Sequence, residues 1–249
     1  MKNKYKYSST NLYGMDIKLT GERLELIEGG WEYQRIKSMM GNIKEGDVVF
    51  DIGAEQGDMS ALMGKKSGKI VLFEASPMMW PHIRQNFEAN DLKPLDCYAG
   101  FVSNVTDENP KYLNYDPKMG TRDYPGCAYD KLVNTRGFRH LHEETEATNQ
   151  ITLDDYCERS GIYPDVVTID VEGSECHVLE GMSKVMDKTM PIVYLSVHHD
   201  FLGVQHGRYY NEIGVFFNER GYKAEYLGFD HEMHMCYYKK SINLTKEII

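Results

Sequence analysis

Short apolar runs stopped by glycine alternate along the chain with stretches of helical spacing. VVFDIG (Val48–Gly53) is the first such run and predicts a strand buried on both faces. Residues 58–65 then read as a short helix. KIVLFEA (Lys69–Ala75) predicts a second strand, and Met78–Asn90 a helix with Pro77 and Pro81 near its start. LDCYAGFV (Leu95–Val102) predicts a third strand. Ile151–Gly161 reads as a helix, with Thr152 and Asp155 at the spacing of an N-terminal cap. Pro164–Gly173 predicts a fourth strand and Ser174 to about Lys188 a helix. Pro191–Asp200 predicts a fifth strand, and Tyr209–Arg220 a helix stopped by Gly221. Tyr222–Gly228 and His234–Lys240 predict a closing hairpin that turns at Phe229–Met233. Residues 1–45 form a polar, Tyr-rich extension that turns helical around Glu22–Met40.

Between Val105 and Gln150 no apolar period is sustained. Pro110, Pro117 and Pro125 and the aromatics Tyr112, Tyr115, Tyr124, Tyr129 and Phe138 fall there. A long irregular stretch of this kind predicts an insertion over a cleft. The remaining order, β-α-β-α-β then α-β-α-β-α and a hairpin, predicts one domain over residues 1–249. Its class is α/β: a doubly wound, mostly parallel sheet with helices on both faces and one antiparallel strand from the hairpin. Ligands of such sheets sit at the C-terminal strand ends, near the switch point.

The chain has 249 residues, with 28 Lys+Arg against 38 Asp+Glu, a formal charge of −10. That balance argues against a nucleic-acid binder, which needs a basic face. No run approaches the roughly 20 apolar residues of a membrane span. No apolar run follows the basic N-terminus, so no secretory signal is expected. Cys97, Cys127, Cys157, Cys176 and Cys236 are widely spaced, without a CxxC pair. Reduced thiols in a cytoplasmic protein are the expectation.

Candidate chemistry starts at Asp51-Ile52-Gly53-Ala54-Glu55-Gln56-Gly57, the end of the first strand. Gly53 and Gly57 allow a sharp turn and close approach to a ligand. The helix that follows offers amide hydrogens to a carboxylate. Glu74 ends the second strand, 21 residues after Gly53, where an acid can accept from two ribose hydroxyls. The spacing D-x-G-x-x-x-G is not the dinucleotide fingerprint. A smaller adenosine-bearing ligand, S-adenosylmethionine, fits better. Asp51 and Glu55 would meet its cationic groups and the loop amides its carboxylate. Phe101 is an adenine neighbour by position. The donor-facing set is Asp51, Gly53, Ala54, Glu55, Gly57, Glu74, Ala75, Phe101 and Asp170.

VVFDIGAEQGDMS, VLFEASP and TLDDYC…PDVVTIDVEGSECHVLEGM resemble the FkbM-type S-adenosylmethionine-dependent methyltransferases. The resemblance spans roughly Gly46–Gly100 and Ile151–Val197, and the run from Asp170 to Gly181 is its most distinctive piece. It implies a Rossmann-like seven-stranded methyltransferase sheet and cofactor contacts from Asp51, Gly53, Gly57 and Glu74. It also implies O-methylation of a hydroxyl on a sugar, polyketide or related metabolite. The chain departs from the family at Glu55, often Asn, and at Asp58, often aromatic. Extra negative charge there suits a sulfonium.

A hydroxyl acceptor loses a proton, so a base within reach helps. Asp170 with His198 is the favoured pair and Glu172 the support, with an unperturbed imidazole near neutrality. Asp170 as a plain helix cap is the alternative role. Glu175 and Glu180 read as solvated or cap-related, and His199 and His206 as surface residues. Asp170, Glu172, His198, His199 and Asp200 together are a set that can hold Mg²⁺, Mn²⁺ or Zn²⁺, but no metal is expected. Trp31, Trp80, Tyr124, Tyr129 and Tyr209 are candidate stacking platforms. The expected partner is a small-molecule or glycan hydroxyl, with neither nucleic acid nor membrane. A non-catalytic binding domain and a nucleotide-dependent oxidoreductase are the rival readings.

Overall fold

The computed structural model describes residues 7–76, 79–108 and 149–239. An N-terminal hairpin, β1 (Tyr7–Leu12) and β2 (Met15–Thr20), leads into helices α1 (Gly21–Glu28) and α2 (Tyr33–Asn42). Then come β3 (Val48–Ile52), α3 (Asp58–Ser67), β4 (Lys69–Glu74), α4 (Trp80–Ala89) and β5 (Asp96–Ala99). Two short strands follow, β6 (Phe101–Val102) and β7 (Gln150–Ile151), and then α5 (Leu153–Ser160) and β8 (Val166–Ile169). The chain continues through α6 (Glu175–Glu180), α7 (Ser183–Thr189), β9 (Ile192–Val197), α8 (His199–His206) and α9 (Tyr210–Glu219). It closes with β10 (Lys223–Phe229) and β11 (Met233–Tyr238).

Seven strands form one sheet in the order β10-β11-β9-β8-β3-β4-β5. β3, β4, β5, β8 and β9 run parallel, and β11 lies antiparallel to both β9 and β10. Every residue of β8 is buried, as expected of a parallel strand covered on both faces. One core layer gathers Phe50, Phe73, Tyr156, Leu179 and Phe217, and the other Ile36, Met39, Leu62, Trp80, Phe87 and Tyr194. The rings of Phe50, Phe73 and Tyr156 meet at centroid distances of 5.4, 5.6 and 4.8 Å. From β3 the chain winds outward through β4 and β5, then returns to β8 on the other side. The β3/β8 junction is therefore the switch point.

Several elements differ from expectation. The helix over Glu22–Met40 is two helices, because Gly30 (φ 92°) and Glu32 (φ 48°) take the left-handed region between them. The strand over Leu95–Val102 divides: β5 stays in the sheet, while β6 pairs with β7. The helix over Ser174–Lys188 breaks at Gly181, where a Cβ would lie 2.0 Å from the Ser103 carbonyl oxygen. The hairpin β1/β2 and α8 were not expected; β1 has no buried residue and α8 is largely exposed. Thr152 caps α5 as predicted, its side chain accepting from Asp155 N–H at 3.0 Å.

Most of the expected insertion, with Tyr112, Tyr115, Tyr124, Tyr129, Phe138 and Cys127, lies outside the described residues. Its two flanks meet: Phe101 and Val102 pair with Gln150 and Ile151, and Asp107 bridges to Gln150. Among the described residues Cys157, Cys176 and Cys236 are buried free thiols, and Cys97 is buried. No described helix is long and apolar enough to cross a membrane.

Candidate active site at the strand ends

Gly53 leaves β3 at φ 88°, and a Cβ there would lie 1.8 Å from the Asp170 carbonyl oxygen. Only glycine lets the loop after β3 lie this close to the end of β8. The loop continues to Glu55 (φ 47°), whose N–H donates to Glu74 Oε2 at 2.8 Å. Ser76 N–H donates to Glu74 Oε1 at 2.6 Å. Glu74 therefore ties the loop after β3 to the loop after β4. Burial pushes its carboxyl up to about 7, against the pull of the two amides. Ala54 is buried in this loop, Ala75 is half-buried beside Glu74, and Gly57 begins α3.

Asp51 sits differently from expectation. Its carboxylate accepts from Thr168 Oγ1 at 2.5 Å and from Ser60 Oγ, which links β3 to β8 and α3. A side chain expected to meet a cationic ligand is engaged within the fold. The acids Glu55 and Asp58 are also paired. Arg23 of α1 reaches Asp58 Oδ2 at 2.7 Å and Glu55 Oε2 at 3.1 Å, with its guanidinium 4.8 Å from the Trp31 ring centre. Burial still pushes Asp58 up to about 6, with Arg23 opposing. The negative charge that was expected to face a sulfonium is partly balanced by an arginine of the N-terminal extension.

Beyond β8 and β9 lies a second cluster. Asp170 Oδ2 accepts from Arg35 at 3.0 Å and from Ser196 Oγ at 3.1 Å, so it is not a helix cap. Burial raises its pKa, but Arg35 and His198 outweigh this and hold it below the usual carboxylate range. His198 is buried, with Nδ1 2.7 Å from Glu175 Oε1 and Nε2 in contact with Glu232 Oε2. Asp170 Oδ1 and Glu172 Oε2 each lie 3.6 Å from that Nε2. Burial pulls the imidazole down, yet Glu175 and Glu232 prevail and push it up to about 11. The imidazole is thus far from the unperturbed, near-neutral case. Glu172, at φ 52°, has a more than half-exposed side chain, and partial burial raises its pKa.

The structure brings Asp170, Glu172 and His198 together, next to the Gly53 loop. It does not bring His199 and Asp200 to them; both are exposed on α8. Glu175, expected to be solvated or cap-related, is fully buried and accepts from Gly173 N–H at 3.1 Å, just ahead of its helix. Phe101 lies in β6, outside the main sheet, and Trp80 is core. Tyr209 is 71% exposed. Sequence reading missed Arg23, Arg35 and Glu232. For Glu232 there was a signal: Asp230, His231, Glu232 and His234 crowd one hairpin turn. For the two arginines there was none.

A family model described as the methyltransferase FkbM domain matches residues 51–224. No curated protein matches the chain. A methyltransferase FkbM from Methylobacillus flagellatus is similar in structure, at TM-score 0.51 and 12% identity over 79% of this chain and 44% of that one. The chain thus spans less than half of that relative's length. A precorrin-6y C5,15-methyltransferase from Geobacter metallireducens matches at TM-score 0.45 and 14% identity, over 85% and 88% of the two chains. Aeropyrum pernix fibrillarin, solved with S-adenosylmethionine, matches at TM-score 0.48 and 13% identity, over 96% and 84%. With well over half of its length under the family model, on the parallel sheet just described, the chain belongs to the methyltransferase FkbM domain family.

Proposed function

We propose that the chain is an S-adenosylmethionine-dependent methyltransferase that modifies a hydroxyl oxygen of a sugar, glycan or other small metabolite. The observation that carries this reading is the junction at Glu74, where the glycine loop and the strand-end acid meet at 2.8 Å. A carboxylate has about four acceptor sites, and two backbone amides occupy one on each oxygen of Glu74. Capacity for two ribose hydroxyls remains. Gly53, Ala54, Glu55 and Gly57 would hold the donor through their backbone, with Ala75, Phe101 and Asp170 beside them. Asp51 would act by holding the loop, through Ser60 and Thr168.

Bound S-adenosylmethionine supplies a methyl group on a sulfonium. The chain's part is to align an acceptor oxygen with that carbon and to accept the proton the hydroxyl gives up. Asp170 is held by Arg35 and Ser196. Glu172, more than half exposed at the mouth of the cluster, is free to approach an acceptor and is the better placed base. Near the same strand ends, His199 lies 5.5 Å from the Tyr210 ring and 6.5 Å from that of Phe229, and Phe229 is 62% exposed. Exposed aromatic faces of this kind suit a sugar ring. Free buried thiols support a cytoplasmic setting.

Transfer of labelled methyl from S-adenosylmethionine to a panel of sugars and hydroxylated metabolites tests the reading. Glu172→Gln should lower kcat by about 100-fold or more, the usual share of a general base, with donor affinity kept. Unchanged kcat would remove Glu172 from the reaction.

A further inference from the structure

We propose that Asp170, His198 and Glu232 form a binding site for one divalent first-row transition cation, with Glu172 at its opening. Oxygen atoms of Asp170 and Glu232 and a ring nitrogen of His198 lie within 4.8 Å of one another. The three residues arrive from separate elements: the end of β8, the end of β9 and the turn before β11.

The imidazole is set for coordination. Its Nδ1 is fixed by the buried carboxylate of Glu175 at 2.7 Å, the outer-shell arrangement that orients a ligating histidine. That directs Nε2 toward Asp170, Glu172 and Glu232. His198 is 7% exposed and Glu232 2%, yet His198 Nε2 and Glu232 Oε2 touch without hydrogen-bond geometry and have no other hydrogen-bond partner among the described residues. Each atom has the other as an ion-pair partner but makes no hydrogen bond, which a buried polar atom ordinarily makes.

Charge points the same way. Glu32, Asp170, Glu172, Glu175 and Glu232 converge here, and Arg35 answers from α2 at 2.6 Å from Glu32 and 3.0 Å from Asp170. Five carboxylates against one guanidinium and one imidazole still leave an excess of negative charge in a largely buried site, and burying charge that is not fully paired is costly. Glu32 has Arg35, whereas His198 and Glu232 face each other. The donors are carboxylate oxygen with one imidazole nitrogen, which suits Mn²⁺, Fe²⁺ or Zn²⁺ better than Ca²⁺, a cation of all-oxygen cages. This site does not depend on the methyl-transfer reading, although it borders the Gly53 loop through Asp170.

The test is a Mn²⁺ titration of the full chain stripped with chelator, read by electron paramagnetic resonance. Saturation at one Mn²⁺ per chain, with ¹⁴N coupling from a bound imidazole in electron spin-echo spectra, is the expected result. That readout on the wild type needs no variant to fold. His198→Ala and Glu232→Gln should each weaken binding by at least about 100-fold, and the outer-shell change Glu175→Gln by about tenfold. Absence of saturable uptake, uptake without ¹⁴N coupling, or uptake lost in Asp230→Asn but kept in His198→Ala would overturn the site. S-adenosylhomocysteine titrated into the same preparation separates the two proposals. Its binding without Mn²⁺ uptake defeats the cation site alone, and Mn²⁺ uptake without its binding supports the cation site and defeats the donor site.

Discussion

Glu74 shows what one residue contributes and how it can be checked. Its buried carboxyl, pushed up to about 7, is ionised above that pH and protonated below it. Protonation turns one oxygen into a donor and removes an acceptor that ribose hydroxyls need. Affinity for S-adenosylhomocysteine should therefore fall as pH drops from 8 to 6, by about tenfold. Calorimetric titrations at pH 6, 7 and 8 measure this, and Glu74→Gln should flatten the dependence. A pH-independent wild type would show that the carboxylate does not face the ligand. Gly53, Gly57 and Glu74 were legible in the sequence because strand ends set their places locally. Arg23, Arg35 and Glu232 were not, because they reach the site only through the tertiary path of the N-terminal helices and the last hairpin.

Among the elements, α5 is a local test of the fold. Thr152 Oγ1 accepts the Asp155 amide at 3.0 Å, and the helix ends in Gly161 at φ 72°. Thr152→Ala should cost about 1 kcal/mol, or roughly 2–4 °C in melting temperature for a chain of this size. Scanning calorimetry checks this, and no shift would mean that the cap is not formed. Such caps are readable because their partners are three residues apart. The strand over Leu95–Val102 was read as one because its apolar character continues past Gly100. Only pairing with Gln150 and Ile151, 49 residues later, draws β6 away. The break at Gly181 has the same origin: the close approach of Ser103 is a tertiary fact. The hairpin β1/β2 is not legible because its first strand buries no residue fully and carries little alternation.

For the whole molecule, the parallel strands and crossing helices were legible because buried strands between glycines leave a strong periodic mark. Their order in the sheet places Gly53, Glu74, Asp170 and His198 at the C-terminal ends of β3, β4, β8 and β9, around one switch point. The proposed donor and acceptor chemistry would meet there, with Arg23 and Arg35 of the N-terminal helices pairing with acids on either side. The most direct check of this arrangement is calorimetric binding of S-adenosylhomocysteine to the wild type and to Glu74→Ala at pH 8. The wild type should bind one equivalent. Loss of hydrogen bonds to a charged group, worth about 1.5–3 kcal/mol, should weaken the variant about 10- to 100-fold. Equal affinity in both proteins, or no binding to the wild type, would mean that this crevice is not where the methyl donor sits.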